Sequence, residues 1–170
     1  MILPALHVRS PWAGLIASGT KSIETRHYPP PDYAIGEWVA IVQPRCRGNP
    51  KACVRCLAYI SGFYKYSDKK QWEDELTSHR VGSSDQDFGW QDGKPKYAWK
   101  LPMVASVDDT WYWKVIKGGR VWTKVQVGLR QFLETTGGYG TCSELQSLQI
   151  TTHSPTTTKL AESCVGWLER

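Results

Sequence analysis

The sequence lacks any apolar run that approaches the roughly 20 residues needed to cross a bilayer. Its first residues also lack the charged and apolar regions of a signal peptide. The five cysteines of this 170-residue chain follow no regular framework, a pattern typical of proteins in a reducing compartment. These absences predict an intracellular, cytoplasmic protein without membrane attachment, or a nuclear one in a eukaryotic cell.

Motifs for cofactors and metals are missing as well. The stretch Gly137-Gly138-Tyr139-Gly140 has neither the lysine nor the following helix of a phosphate-binding loop. Cys53 and Cys56 have the spacing of half a zinc site, but there is no second half-site. In a strand these two side chains would also point to opposite faces. The sequence therefore predicts neither a metal nor a cofactor.

The aromatic and basic residues are the abundant ones. Nine Trp and eight Tyr stand beside three Phe, and the formal net charge is +5. Trp and Tyr carry a polar group on a large ring, so they suit cores and base-stacking surfaces alike. An excess of Lys and Arg attracts phosphates. Composition therefore favours an anionic partner, with RNA, DNA or a modified nucleoside as candidates.

Local patterns predict short strands, two helices and one long loop. Strands are expected at residues 5–9, 22–28, 38–42, 54–64, 97–101, 111–116 and 121–127. Helices are expected to start at Ser10-Pro11 and at Ser67-Asp68, and residues 81–96 read as a loop. We expect one domain at residues 1–130 and a peripheral Ser/Thr-rich extension at residues 131–170.

One motif links a helix end to a strand start. Gly19, Lys21, Glu24 and Arg26 form the pattern G-x-K-x-x-E-x-R, with Gly19 where a left-handed helix cap is expected. Glu24 and Arg26 share one strand face, so the carboxylate can orient the guanidinium. The planar fork of Arg26 suits a phosphate or a base edge. The motif therefore predicts an anion-binding cleft.

This arrangement resembles the ASCH family of the PUA-like superfamily. The motif is complete, Ser10-Pro11-Trp12-Ala13 resembles the family's lead-in helix, and Tyr97-Ala98-Trp99-Lys100-Leu101 resembles the strand that opens its C-terminal half. The resemblance covers about residues 6–127. It implies an α+β fold: a PUA-like β-barrel of about five to seven strands with short peripheral helices.

The resemblance also implies a function, the binding of nucleic acid, RNA foremost, or of a modified nucleobase. The side chains expected around the cleft are those of Lys21, Glu24, Arg26, Ser10, Trp12, Trp90 and Tyr97. Trp12, Trp38, Trp90 and Trp99 are candidates for base stacking. Trp90 is favoured among them because its loop has no apolar periodicity that would bury it.

Two alternatives stay open. Some small ASCH members are amidohydrolases that deacylate N4-acylated cytidine, with the motif lysine as general base and a threonine nucleophile three positions later. Glu24 stands at that position here, and a carboxylate nucleophile would give a mixed anhydride. An enzyme would thus be an amidohydrolase or nuclease that uses Lys21 and Glu24 in acid or base roles. The other alternative is a protein-interaction domain with a vestigial cleft.

Overall fold

The computed structural model describes residues 1–45, 51–107, 114–116 and 121–137. Short elements alternate along these ranges. They are β1 (Ile2–His7), α1 (Trp12–Ala17), β2 (Ile23–Arg26), a 3-10 helix (Asp32–Ala34), β3 (Glu37–Gln43), β4 (Cys53–Ile60), β5 (Gly62–Lys65), α2 (Lys69–Asp74), α3 (Leu76–His79), β6 (Tyr97–Lys100), β7 (Met103–Ser106), β8 (Lys114–Ile116), β9 (Trp122–Gln126) and α4 (Leu129–Thr136).

The strands form two sheets. The larger has the order β7-β4-β3-β1-β9-β8, in which β1 and β3 run parallel and the other neighbours antiparallel. The smaller has the order β2-β6-β5 and is antiparallel throughout. The motif strand β2 therefore lies at an edge of the smaller sheet.

The expected α+β class and the short helices are confirmed, whereas the strands of the described residues form no closed barrel. In the described ranges the strands form two separate sheets, with β7 and β8 as the edges of the larger one. The chain passes from one sheet to the other four times. A special residue marks two of these changes: Gly62, with φ of +154°, begins β5 two residues after β4 ends, and Pro102, which has no amide hydrogen for a ladder, separates β6 from β7.

Three groups of buried side chains hold these layers together. The first includes Leu6, Val39, Ile41 and Trp99 and joins the two sheets. The other two are the group Leu3, Trp38, Leu57, Val125 and Phe132 on the larger sheet and the group Tyr66, Trp72, Val81 and Ala98 beside the smaller sheet.

Local signals placed the helices well. α1 begins at Trp12 after a cis Ser10-Pro11 peptide, and Gly19 has the positive φ that its capping position predicts. The carboxylate of Asp68 accepts a hydrogen bond from the Gln71 amide and caps α2, as expected. No helix in the described ranges is long and apolar enough to cross a membrane.

The C-terminal part was predicted least well. β7 was not expected, and α4 crosses the predicted boundary at residue 130 while Phe132 packs in the core of the larger sheet. The expected turn at Gly118-Gly119 and residues 138–170 lie outside the described residues. The proposed division into a domain and an extension therefore stays a prediction.

Candidate functional site

Strand register puts the motif side chains on one face of the smaller sheet. Glu24 lies opposite Trp99 of β6, and Arg26 lies opposite Tyr97. On the next strand, β5, Phe63 lies opposite Trp99 and Lys65 lies opposite Tyr97. Because directly opposed residues of an antiparallel pair share a face, all six side chains project to the same side. The cleft predicted from the motif can only lie on this side.

Lys21 points inward from the turn that precedes β2. Its side chain is 0% exposed, and Nζ donates hydrogen bonds to the carbonyl oxygens of Ile23 at 2.7 Å and His79 at 2.6 Å. Glu24 Oε2 lies 3.2 Å from the same nitrogen. An ammonium has three N–H donors, so three acceptors occupy all of them. Lys21 therefore links the motif to α3.

Charge and burial act in opposite directions on this buried pair. Burial lowers the pKa of Lys21, and the neighbouring Glu24 offsets part of that effect. Burial would raise the pKa of Glu24, but the charges and hydrogen bonds of Lys21 and Arg26 outweigh it and hold the pKa below its usual range. Glu24 is therefore ionised at neutral pH.

Arg26 lies at the more open end of the motif, with its side chain 19% exposed. Nε donates to Glu24 Oε1 at 2.8 Å and Nη2 donates to the His7 carbonyl at 2.8 Å. The guanidinium carbon lies 6.0 Å from the centre of the Trp99 ring. Nη1 has no hydrogen-bond partner among the residues that the structure describes. The fork is thus held in position while part of it remains available.

His7 contributes to the site, although no local pattern of residues singles it out. The parallel pairing of β1 with β3 brings the end of β1 beside Arg26. Burial, and then the charge of Arg26, lower the pKa of His7. Its Nε2 is buried and lacks a hydrogen-bond partner in the described part of the chain. His7 is therefore a neutral imidazole at the rim of the cleft.

His79, which accepts the Lys21 hydrogen bond through its carbonyl, is itself fully buried. Its Nδ1 accepts from the Val81 amide at 3.1 Å, so Nε2 carries the proton and donates to the Trp72 carbonyl at 2.7 Å. The imidazole stacks on the Trp72 ring with centroids 4.6 Å apart. Burial lowers the pKa of His79. The side chain therefore ties α3 to α2 and to the start of the loop that follows.

A second buried lysine, Lys96, was also missed. Its Nζ donates to the carbonyls of Phe88 at 2.7 Å and Gly89 at 2.8 Å, and burial lowers its pKa to about 8. These bonds tie the loop of residues 81–96 to the start of β6. The signal that could have identified it is a lysine directly before a buried strand, which is too common to be specific.

The other predicted site residues are divided between the two faces of the smaller sheet. Ser10 is exposed before α1, and Tyr97 lies half-buried opposite Arg26, with Phe63 6.2 Å away. Trp12 and Trp90 pack with Ile23 and Ala98, whose side chains belong to the face opposite Glu24 and Arg26. The structure thus brings Lys21, Glu24, Arg26 and Tyr97 together, but not Trp90.

Four aromatic rings form a row beside Arg26. Trp99 and Trp122 stack with centroids 5.9 Å apart, Tyr28 meets Trp99 at 5.8 Å, and Tyr33 meets Trp122 at 5.8 Å. Trp99 is fully buried, whereas Tyr28 is 38% and Tyr33 61% exposed. We call these four residues the aromatic row. Its exposed ends are the tyrosines Tyr28 and Tyr33, which belong to no sequence motif.

The structure is similar to solved structures of an ASCH protein from Zymomonas mobilis. One has a TM-score of 0.51 and 16% identity, covering 89% of this chain and 96% of that chain. The chain has the ASCH fold. A serine-to-alanine variant of that protein has a TM-score of 0.52 and 14% identity, covering 79% of this chain and 94% of that chain. A tyrosine-to-phenylalanine variant has a TM-score of 0.50 and 16% identity, covering 88% of this chain and 97% of that chain. No protein-family model and no curated protein sequence matches the chain.

This site has side chains whose chemistry suits an anion. It offers one partly exposed guanidinium, aromatic rings beside it and a buried carboxylate that orients the guanidinium. Among the described residues no group of three His, Cys, Asp or Glu could hold a metal ion. Cys56 is buried, and burial raises its pKa to about 12, so it is an inert thiol.

Proposed function

We propose that this protein binds nucleic acid through the face of the smaller sheet that carries Arg26. The single observation that supports this most is the geometry of that guanidinium. Glu24 and the His7 carbonyl hold two of its nitrogens, and Nη1 has no hydrogen-bond partner among the described residues. A pre-positioned fork loses little entropy when it binds a phosphate.

A second cation lies on the same face. Lys65 occupies the same cross-strand row as Arg26, with Tyr97 between them, and its side chain is exposed. Neighbouring strands are roughly 4.8 Å apart, so the two backbones are about 10 Å apart. Two cations at this separation can contact different phosphates of one chain, in keeping with the net charge of +5.

Binding of short fluorescently labelled RNA and DNA oligonucleotides, measured by anisotropy over a series of salt concentrations, tests the proposal. We expect Arg26→Gln to weaken binding at least about 10-fold and to lower the salt slope by about one. Lys65→Gln should lower the slope similarly with a smaller loss of affinity. Lys70→Gln is the matched control, because Lys70 lies on α2 and is 83% exposed.

Three results would contradict the proposal. Wild-type protein that binds neither RNA nor DNA at low salt would remove it and leave a protein-interaction domain as the better account. Equal losses for Lys70→Gln and Arg26→Gln would mean that net charge alone causes binding. Full affinity in Arg26→Gln would mean that the ligand contacts another face.

The hydrolase alternative receives less support from the geometry. A general base must reach the substrate, whereas Lys21 has no exposed surface and three acceptors around its ammonium. Incubation with N4-acetylcytidine and chromatography for cytidine tests this alternative directly. We expect no turnover; turnover that Lys21→Met abolishes in a folded protein would instead favour the amidohydrolase.

A further inference from the structure

We infer that Tyr28 and Tyr33 form a base-stacking platform beside Arg26, so that the ligand is a single strand with accessible bases rather than a duplex. The inference rests on the proposed function and adds the class of nucleic acid. It starts from the two ends of the aromatic row, whose rings are the exposed ones.

The platform has a rigid support. Tyr28 contacts Trp99, Tyr33 contacts Trp122, and the two indoles stack on each other with planes 17° apart. Trp99 is fixed further by a hydrogen bond from Nε1 to the Tyr28 carbonyl at 3.1 Å. The exposed rings therefore rest on one buried and one half-buried indole and lose little side-chain freedom when a base stacks on them.

The backbone between the two tyrosines is rigid too. Pro29, Pro30 and Pro31 join them, with Pro30 buried, and Tyr33 then lies in the 3-10 helix at Asp32–Ala34. Proline fixes φ, so this connection has few alternative conformations. An exposed tyrosine on a rigid segment is pre-organised for a ligand.

Charge favours nucleic acid as the occupant of this surface. The Arg26 guanidinium lies over Trp99, the ring that touches both Tyr28 and Trp122. A cation at the centre and exposed rings at the ends match a polymer in which phosphates alternate with flat bases. Asp32 is the acidic neighbour of Tyr33 and is exposed to solvent. Bases in a duplex are already stacked, so only a single strand can use the rings.

The test compares ring removal with ring retention at the most exposed position. Stacking contributes about 1–3 kcal/mol per base, which corresponds to roughly 5- to 150-fold in affinity. We expect a loss in this range for Tyr33→Ala and for Tyr28→Ala with single-stranded RNA. Tyr33→Phe keeps the ring and should stay within about twofold of wild type. Leu76→Ala, an exposed apolar residue on α3, is the control for general surface change.

Two further readouts separate stacking from charge. The salt slope should be unchanged in Tyr33→Ala, because no phosphate contact is lost. A 2-aminopurine placed in a uridine-rich single strand should change fluorescence when wild-type protein binds, and the change should be smaller with Tyr33→Ala at saturation. A duplex of the same sequence should bind more weakly than the single strand.

The outcomes distinguish this inference from the proposed function. Wild-type affinity in both tyrosine variants, with weakened binding in Arg26→Gln, would overturn the platform and leave the proposed function standing. A duplex that binds as tightly as the single strand would also overturn it. Absence of any binding by wild-type protein would remove the proposed function and the platform together.

Discussion

The two halves of one motif behave differently in this protein. The inner group, Lys21, Glu24 and His79, is at most 6% exposed, and every hydrogen bond it needs is made within the chain. The outer group, Arg26, Tyr28 and Tyr33, is partly exposed. Lys21, Glu24 and Arg26 belong to β2 and the turn before it, whereas His79 lies on α3 and the two tyrosines follow β2 in the chain. The difference shows that a charged motif can serve folding at one end and recognition at the other.

Glu24 joins the two groups. One carboxylate oxygen lies near Lys21 and the other accepts from Arg26. The carboxylate thereby compensates the buried ammonium and fixes the guanidinium at the rim. Changes to the inner group should consequently reduce stability, and changes to the two exposed tyrosines of the outer group should reduce affinity without reducing stability.

The largest effect is expected for Glu24→Gln. Removal of the carboxylate charge leaves the Lys21 ammonium buried without its counter-ion, which typically costs about 3–5 kcal/mol. Because the folded-state pKa of Glu24 lies below its usual range, its contribution is present at neutral pH and is lost as the pH falls through that lowered pKa. Urea unfolding at neutral pH measures the loss.

Asp74→Asn is the matched control for this prediction. It also removes one carboxylate from a Lys pair, but Asp74 and Lys70 are largely exposed. A change within about 1 kcal/mol is expected there. Equal effects of the two substitutions would mean that the inner group is no more important for folding than a surface pair.

Sequence reasoning found the local parts of this arrangement and missed the parts that depend on distant residues. The cap at Gly19, the presence of strand β2 and the Asp68 cap follow from neighbouring residues, and they were predicted correctly. The inward direction of Lys21 depends on the His79 carbonyl, 58 positions away, and the Arg26 contact depends on His7. No local pattern encodes either distance.

The aromatic residues illustrate the same limit. Trp90 lacks apolar periodicity, yet it is half-buried against Trp72 at 6.3 Å because its loop folds back onto the smaller sheet. Tyr33 belongs to no predicted strand or helix and still contacts Trp122, 89 positions later, at 5.8 Å. Only the pairing of strands across the sheets shows which rings face the cleft.

A second loss of stability is expected for His79→Leu, by about 2–3 kcal/mol. The substitution leaves the Trp72 carbonyl and the Val81 amide without their buried partner, and each unsatisfied group costs about 1–3 kcal/mol. Thermal unfolding at neutral pH checks the value. A loss below 0.5 kcal/mol would show that water or a local shift satisfies both groups.

The same histidine should affect acid stability. Burial lowers the pKa of His79, so the unfolded chain binds its proton more readily and wild-type stability falls as the pH drops below about 6.5. His79→Leu lacks this part of the pH dependence. Its curve of unfolding free energy against pH should therefore be flatter than that of wild type above the range where carboxylates titrate. The contribution of His7, which has the same sign, remains in both proteins.

Lys96 tests whether a buried lysine outside the motif behaves like the inner group. Burial lowers its pKa to about 8, so the unfolded chain binds more protons between about pH 8 and 10 and stability should rise with pH there. Lys96→Met removes this term. The unfolding free energy of wild type should therefore rise relative to that of the variant as the pH increases across this range. Parallel curves of unfolding free energy against pH would contradict the lowered pKa.

The smallest effect on folding is expected for Tyr33→Ala, although the same substitution should weaken binding of single-stranded RNA roughly 5- to 150-fold. Tyr33 is 61% exposed and contacts the row only through Trp122, so its removal should change the unfolding free energy by no more than about 0.5 kcal/mol. Urea unfolding of the protein used for the RNA titrations measures this. A loss of 2 kcal/mol or more in unfolding free energy would mean that Tyr33 supports the fold. The assignment of stability to the inner group and of binding to the outer group would then fail at the most exposed residue of the outer group.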